Sequence, residues 1–168
     1  LYDDLLKENP SNLMALKRKF CILRAQVGQE METMEALNDY LQQNYSDVAA
    51  WYEMANYRKE LGDYKGAAFA LEEVLLGTPS ESTIHVELAE CYATIGGLDH
   101  FLLARKHMAQ ALELDSSNRR AQFGLVSAAN SYLQEAVTGA KKSFDEHEVA
   151  VAKELVKYGC EQVLDSYK

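Results

Sequence analysis

The stretch of sequence that decides the fold runs from Val48 to Glu81 and reads VAAWYEMANYRKELGDYKGAAFALEEVLLGTPSE. In its first half, apolar residues recur every three or four positions, as on a helix with one buried face. Gly62 can take the positive φ that ends this helix, and Asp63 can cap a second one. Pro79 prevents the second helix from continuing. The 34 residues therefore predict two helices joined by a tight turn, with a first apolar stripe of Trp51, Met54, Ala55 and Leu61.

This unit resembles the tetratricopeptide repeat, which has a period of 34 residues. The residues on positions 4, 7, 8, 20 and 32 of that repeat are Trp51, Met54, Ala55, Ala67 and Pro79. Val74 replaces the usual Ala at position 27, and Arg58 replaces the usual Tyr at position 11. The resemblance implies an all-α fold, an α-solenoid in which antiparallel helix pairs form a right-handed superhelix.

Similar units flank this repeat on both sides, so the chain is predicted to be a single solenoid. Residues 13–47 form a 35-residue unit with a weak turn near Gly28, and residues 1–12 resemble the end of a preceding repeat. Pro10 and Pro79 lie 69 residues apart, which is the combined length of the 35- and 34-residue units. The next unit, residues 82–118, fits the pattern if three residues are inserted around the turn at Gly96-Gly97.

The repeat pattern decays after residue 118, and residues 119–168 are predicted to be a degenerate repeat with a capping helix. Solenoid ends need such an atypical unit to cover the last repeat. The sequence SFDE at residues 143–146 is typical of a capping box that begins a helix. A loop is expected at residues 134–142, upstream of that helix.

Composition excludes several classes of function. The 168 residues are 48% hydrophobic, with 17 basic and 26 acidic side chains and a net charge of −9. This acidity argues against nucleic acid as a partner, because nucleic acid binding needs a dense basic field. No apolar run approaches the roughly 20 residues that span a bilayer. The three widely spaced cysteines, Cys21, Cys91 and Cys160, are expected to be buried free thiols.

The side chains that most often carry chemistry form no catalytic or metal motif. His85 falls on position 4 of its repeat, normally a buried aromatic position, and is predicted to be a core residue. His100 and His107 share one helix face without a cysteine or carboxylate at ligand spacing. Neither a phosphate-binding glycine loop nor a nucleophile elbow occurs. The chain is therefore predicted to be non-catalytic and to need no cofactor.

A solenoid of this kind exposes a concave groove lined by the first helix of each repeat. The repeat positions that face this groove predict a protein-binding surface. Apolar anchors are expected from position 5, flanked by acidic and amide residues from positions 6 and 9. The predicted groove residues are Lys17, Tyr52, Glu53, Asn56, Val86, Glu87, Glu90 and Phe123.

Charge in the predicted groove discriminates between kinds of partner. Repeats that hold the C-terminal carboxylate of heat-shock chaperones share a Lys/Asn clamp, which Lys17 fits but Cys21, Glu53, Thr83 and Glu87 do not. Glutamates would repel a carboxylate, so a neutral or basic protein segment with apolar anchors is the better match. An alternative is that one of the terminal helices of the chain fills the groove.

Several segments resemble a narrower family, subunit 2 of the endoplasmic reticulum membrane protein complex, over most of residues 1–130. These segments are YDDLL at 2–6, NDYL at 38–41, YKGAAFALEE at 64–73, GGL at 96–98, ARK at 104–106, AQAL at 109–112 and AQFGL at 121–125. Their order and the three-residue insertion near Gly96 carry the resemblance.

The resemblance implies a scaffold on the cytoplasmic face of the endoplasmic reticulum, without a membrane span of its own. Such a subunit joins cytosolic segments of membrane subunits to a soluble subunit, in a complex that inserts transmembrane segments of client proteins. The alternative function is a soluble peptide-binding adaptor of an unrelated repeat assembly.

Overall fold

The computed structural model describes residues 2–26, 28–138 and 145–165. Within these ranges the secondary structure is entirely helical, as the sequence predicts. The nine helices are α1 (Tyr2–Glu8), α2 (Leu13–Arg24), α3 (Glu30–Gln43), α4 (Val48–Glu60), α5 (Tyr64–Gly77), α6 (Ser82–Ile95), α7 (Leu98–Leu114), α8 (Arg119–Thr138) and α9 (Glu146–Asp165).

The chain forms two compact units, Leu1–Thr78 and Pro79–Lys168. In the first unit, α1 packs on α2, α2 on α3, α3 on α4 and α4 on α5. In the second unit, α6 packs on both α7 and α8, α7 packs on α8, and α8 packs on α9. Each helix thus lies against its neighbour along the chain within its unit, as expected for stacked helix pairs.

Polar caps mark the points at which the first helix of a repeat begins. The side-chain oxygens of Asn12, Asp47 and Asn118 accept hydrogen bonds from the backbone N–H groups of Ala15, Ala50 and Ala121. Each bond pairs one of the N–H groups that a helix start leaves without an intrahelical partner. Glu81 holds the equivalent place before α6 without a side-chain cap. The predicted repeat boundaries therefore coincide with helix starts.

Buried apolar residues, with an alanine on each helix, lie where α4 packs on α5. Met54 and Ala55 on α4 and Ala67 and Leu71 on α5 are at most 1% exposed. Trp51 is half-buried, and its indole N–H donates to the Tyr45 carbonyl oxygen at 2.8 Å.

The prediction that Leu61 belongs to the buried apolar stripe is wrong, because Leu61 is 46% exposed. The helix α4 ends at Glu60, so Leu61 lies in the turn and outside the helical spacing that would have buried it.

The turn between α4 and α5 follows the sequence prediction and explains why arginine stands at position 11 of this repeat. Gly62 has φ = 76°, and Asp63 caps α5 by accepting from the Gly66 N–H at 3.0 Å. The second carboxylate oxygen of Asp63 accepts from Arg58 at 2.6 Å. A Cβ atom on Gly66 would collide with both of these side chains. Glycine at residue 66 therefore makes room for the Arg58–Asp63 pair.

The predicted insertion in the repeat at residues 82–118 lies at the start of a helix. Gly96 and Gly97 have φ values of 76° and 90° and form the expected turn after α6. The helix α7 has 17 residues, against 14 in α5. Ala104 is the seventh residue of α7, whereas its counterpart Ala67 is the fourth residue of α5. The three additional residues thus lengthen the first turn of α7.

His85 is 8% exposed and belongs to the core of the second unit, as predicted. Its Nε2 lies 3.1 Å from the Pro79 carbonyl oxygen and its Nδ1 lies 3.0 Å from Nδ1 of His107. A carbonyl oxygen only accepts, so Nε2 of His85 donates and its Nδ1 accepts from His107. The ring of Tyr92 stacks between His107 and His100, with centroid distances of 5.9 Å on both sides.

A buried ion pair holds α9 in the second unit. Arg105 on α7 donates to the Glu148 carboxylate on α9, and the Arg105 side chain is 9% exposed. Burial raises the pKa of the nearby Tyr132 hydroxyl, and the negative charge of Glu148 raises it further. Ala129, Tyr132 and Ala152, on α8 and α9, form an apolar core cluster in the same unit.

Two expectations, for a loop and for two cysteines, need correction, and a third lies outside the described residues. The helix α8 continues to Thr138, so the expected loop at residues 134–142 begins too early. The helix α9 is capped by Asp145, whose Oδ1 accepts from the His147 N–H at 2.9 Å, while the predicted cap Ser143 lies outside the described residues. Cys91 is buried as expected, but Cys21 and Cys160 are exposed.

Asp47 connects three helices of the first unit. Besides capping α4, its carboxylate accepts from the Tyr40 hydroxyl at 2.7 Å and from Lys17 Nζ at 2.9 Å. Burial pushes the pKa of Asp47 upward, but the bonds from Lys17, Tyr40 and the Ala50 N–H outweigh it and leave the pKa lowered. The same contact raises the pKa of Lys17. The folded chain thus stabilises the ionised form of the Asp47 carboxylate.

Asp47→Asn tests this junction, because asparagine can still cap α4 but carries no charge. We expect the free energy of unfolding to fall by about 1–2 kcal/mol at pH 7, the usual worth of hydrogen bonds to a charged group. Since the folded pKa is lowered, the contribution is present above about pH 4 and is lost as the pH falls further. Urea unfolding followed by circular dichroism at several pH values measures both effects. A difference from wild type that persists unchanged at the lowest pH would contradict the assignment.

Glu148→Gln tests the buried pair, because it leaves the Arg105 charge buried without its counter-charge. We expect a loss of about 2 kcal/mol, below the usual cost for a fully buried pair because Glu148 is partly exposed. Amide hydrogen exchange should accelerate in α9 more than in α6. The control is the double variant Arg105→Met with Glu148→Leu, which removes both charges and should regain most of the lost stability. A double variant less stable than the single one would refute this account.

Candidate functional site

The first unit contains a cleft of about 320 Å³ at the C-terminal end of α2, where the start of α3 and the last two turns of α4 also meet. Most of its lining residues are polar or charged, and two of them are the predicted groove residues Glu53 and Asn56. The lining residues are Arg24, Ala25, Gln26, Glu30, Thr33, Glu53, Asn56, Tyr57 and Glu60.

An ion pair crosses this cleft between the first helices of two successive repeats. Arg24 on α2 donates to Oε1 of Glu53 on α4 at 2.7 Å. The second carboxylate oxygen, Oε2 of Glu53, is buried and has no hydrogen-bond partner among the described residues. The Glu53 side chain is 31% exposed and the Arg24 side chain 55% exposed. The cleft thus contains a carboxylate whose hydrogen-bonding capacity is only partly used.

The charged residues of the cleft affect the pKa of the Tyr57 hydroxyl. Burial raises the pKa of its hydroxyl, the positive charge of Arg24 lowers it, and the carboxylates of Glu53, Glu60 and Glu30 raise it again. The net effect is a raised pKa. A phenolate at this place is therefore disfavoured both by burial and by three carboxylates.

The other predicted groove residues of the first unit are engaged with their own chain. Lys17 is paired with Asp47, and its ammonium lies 5.6 Å from the centre of the Tyr40 ring. Tyr52 is half-buried, and the ammonium of Lys59 lies 5.9 Å from the centre of its ring. Both side chains retain exposed surface, but Lys17 is not a free cation for a carboxylate.

In the second unit the predicted groove residues have different environments. Glu90 accepts two hydrogen bonds from the Arg120 guanidinium on α8, and Glu87 is half-buried. Phe123 is 47% exposed. The prediction that Val86 lines an exposed groove is wrong, because Val86 is 1% exposed and offers no surface to a partner. Since α6 packs against both α7 and α8, this part of α6 is covered.

Four charged or aromatic residues of the cleft were missed by the repeat pattern: Arg24, Glu30, Tyr57 and Glu60. Arg24 is the last residue of α2 and Glu30 the first of α3. The repeat pattern predicts groove residues only from the middle of each first helix, so it does not identify residues at helix ends. In the sequence, the opposite charges of Arg24 and Glu53 could have indicated a pair between successive first helices, although the two residues lie 29 positions apart.

Comparisons with known proteins place the chain in a family. Residues 1–106 match the model of the EMC2 TPR-like repeat domain. The chain belongs to this family. It is 44% identical over 126 residues to ER membrane protein complex subunit 2 of Xenopus tropicalis, which covers 74% of the chain and 42% of that relative. It is 32% identical over 116 residues to the subunit 2 of Dictyostelium discoideum, covering 69% of the chain and 36% of the relative.

The chain therefore spans less than half of the length of these relatives. A more distant relative, TPR repeat protein oca3 of Schizosaccharomyces pombe, is 27% identical over 143 residues, which cover 84% of the chain and 50% of that protein. The relatives bear out the tetratricopeptide-repeat interpretation and the resemblance to subunit 2.

Solved structures support the fold independently. The crystal structure of MamA superposes with a TM-score of 0.61 at 16% identity, covering 99% of the chain and 86% of MamA. YrrB, described as a TPR protein with an unusual peptide-binding site, superposes with a TM-score of 0.57 at 18% identity, covering 92% and 74%. At these identities the likeness concerns the fold alone. Within the described ranges, none of the helices has the length and apolarity to cross a membrane.

The coupling between Arg24 and Glu53 can be measured with a double-mutant cycle of Arg24→Gln and Glu53→Gln. We expect a coupling energy of about 0.5–1 kcal/mol, the range of partly exposed ion pairs. Because salt screens exposed charges, the coupling should shrink between low and 0.5 M salt. Urea unfolding of the four proteins provides the free energies. Additive single effects at low salt would show that the pair has no energetic weight.

Proposed function

We propose that the chain is a repeat module of a non-catalytic scaffold subunit in the endoplasmic reticulum membrane protein complex. The match of residues 1–106 to the family model is the observation that carries this proposal. Relatives at 44% identity are named as subunit 2 of that complex, and the chain shares their repeat domain. A scaffold of stacked helix pairs binds through its surface and needs no catalytic group.

In this proposal the module lies on the cytoplasmic face of the endoplasmic reticulum. It joins cytosolic segments of membrane subunits to a soluble subunit and thereby supports the insertion of transmembrane segments. The described helices include none that could span a bilayer, which is compatible with peripheral attachment through protein partners.

The surface proposed for these partners consists of seven of the eight predicted residues, taken on each unit by itself, and on the first unit it includes the cleft. Tyr52 and Phe123 are the aromatic members, and aromatic residues often carry most of the binding energy of an interface. Phe123 is the more accessible of the two, since Tyr52 is half-buried. Val86 is left out because it is buried. The retained residues are Lys17, Tyr52, Glu53, Asn56, Glu87, Glu90 and Phe123.

The alternative function, a soluble adaptor of an unrelated assembly, predicts different partners. Affinity purification of the tagged chain from a detergent extract distinguishes the two. Integral membrane subunits should co-purify if the scaffold proposal holds. Soluble proteins alone, in the same extract, would favour the adaptor.

Tyr52→Ala combined with Phe123→Ala should reduce co-purification of the partners at least tenfold, because two aromatic anchors worth about 1–2 kcal/mol each are removed. The helical circular dichroism should stay unchanged. Leu76→Ala with Val137→Ala is a matched control, because both residues are highly exposed and lie outside the proposed surface. Full co-purification with the folded Tyr52/Phe123 double variant would refute the proposed surface.

A further inference from the structure

We propose that the cleft of the first unit binds an arginine side chain of a partner protein segment. The proposal deepens the scaffold function and rests on it, since it names the chemistry of one contact that such a scaffold makes. Its basis is the composition and geometry of the cleft, beginning with its charge.

The charge of the lining favours a cation. Glu30, Glu53 and Glu60 contribute three negative charges and Arg24 one positive charge, so the lining carries a net charge of −2. The three carboxylates line the same cleft as Tyr57, and each of them contributes to raising the pKa of its hydroxyl. A second cation entering the cleft would halve this net charge to −1 and would be attracted by it.

The size and chemistry of the cleft favour an organic cation over a metal ion. Its volume of about 320 Å³ lies at the lower end of ligand pockets, which suits one long side chain better than a cofactor. Among the described residues, no group of three metal-ligating side chains is close enough to hold a metal ion.

Arginine fits better than lysine because the lining offers partners for a planar, multiply donating group. The half-buried Tyr57 and Asn56 both line the cleft, so an aromatic ring and an amide group are among the groups beside it. A guanidinium stacks on aromatic rings and donates up to five hydrogen bonds, whereas an ammonium is a compact point charge. Arg24 already shows that Glu53 accepts a guanidinium, at 2.7 Å.

Arg24 therefore acts as a competitor within the chain. Its side chain is 55% exposed, so the pair with Glu53 is weakly held and can be exchanged. The buried and unpaired Oε2 of Glu53 becomes available when that pair rearranges. Removing Arg24 should consequently improve the binding of an external arginine, whereas removing a carboxylate should impair it.

The test uses the 168-residue chain and a pair of blocked pentapeptides, acetyl-Gly-Gly-Arg-Gly-Gly-amide and the same peptide with citrulline. Citrulline has the shape of arginine without its charge. Amide chemical shifts in ¹⁵N spectra are followed as peptide is added. We expect the arginine peptide to shift the resonances of residues 24–33 and 53–60 and the citrulline peptide to leave them unchanged.

Two variants should change the affinity in opposite directions. Glu60→Gln should weaken binding of the arginine peptide by about threefold to fivefold, as expected for an exposed charge pair. Arg24→Gln should strengthen it by a similar factor. Glu113→Gln, which makes the same charge change in the second unit, should leave the affinity unchanged and is the control. Circular dichroism confirms that each variant is folded.

The inference is overturned if the arginine and citrulline peptides act alike, if neither binds, or if Arg24→Gln weakens binding. Co-purification separates this failure from that of the proposed function. Membrane subunits that co-purify with a chain lacking arginine selectivity would refute the cleft inference alone. Selective arginine binding by a chain that captures no membrane subunit would refute the scaffold proposal.

Discussion

The repeat structure depends on where each first helix can begin. Helix starts leave backbone N–H groups without partners, and a helix that packs on others cannot leave many of them unsatisfied. Asn12, Asp47 and Asn118 supply an acceptor at three of these starts. At Asp47 the same carboxylate also contacts α2 and α3, so one side chain sets both the start of a helix and its place against two others. The apolar packing of α4 on α5 builds on a helix that is already fixed at its first turn.

Sequence predicted the helices well where the local pattern and the packing demand the same residue. Gly62 and Asp63 are required by the turn itself, and Met54 and Ala67 by the close approach of two helices. The pattern misplaced Leu61, because helical spacing was extended one residue beyond the end of α4. The loop before α9 was placed too early for a similar reason, since Gln134 is polar but still helical. Helix ends are decided by caps and local packing, which periodicity does not contain.

The candidate site could be predicted only in part. A repeat position predicts which side of its own helix a residue lies on, but it does not predict which side chains of other helices contact that residue. Glu53 and Glu90 were expected to face a binding partner, yet Arg24 and Arg120 already pair with them. Val86 was expected on an exposed face, but it is buried on α6, which packs against both α7 and α8. These two glutamates are therefore already paired within the chain. The cleft, with Glu30, Glu53 and Glu60 against Arg24, accounts for two of the nine excess negative charges.

The longer α7 has a consequence for how such repeats tolerate changes in length. Its three additional residues lie before Ala104, so the helix gains about 4.5 Å at its N-terminal end. Ala104, Met108 and Ala111 keep their spacing and stay at most 2% exposed. Residues inserted in the middle of the helix would instead rotate every later side chain by about 100° each. A helix start beside a glycine turn is thus a place where repeats can diverge in length while their cores stay superimposable.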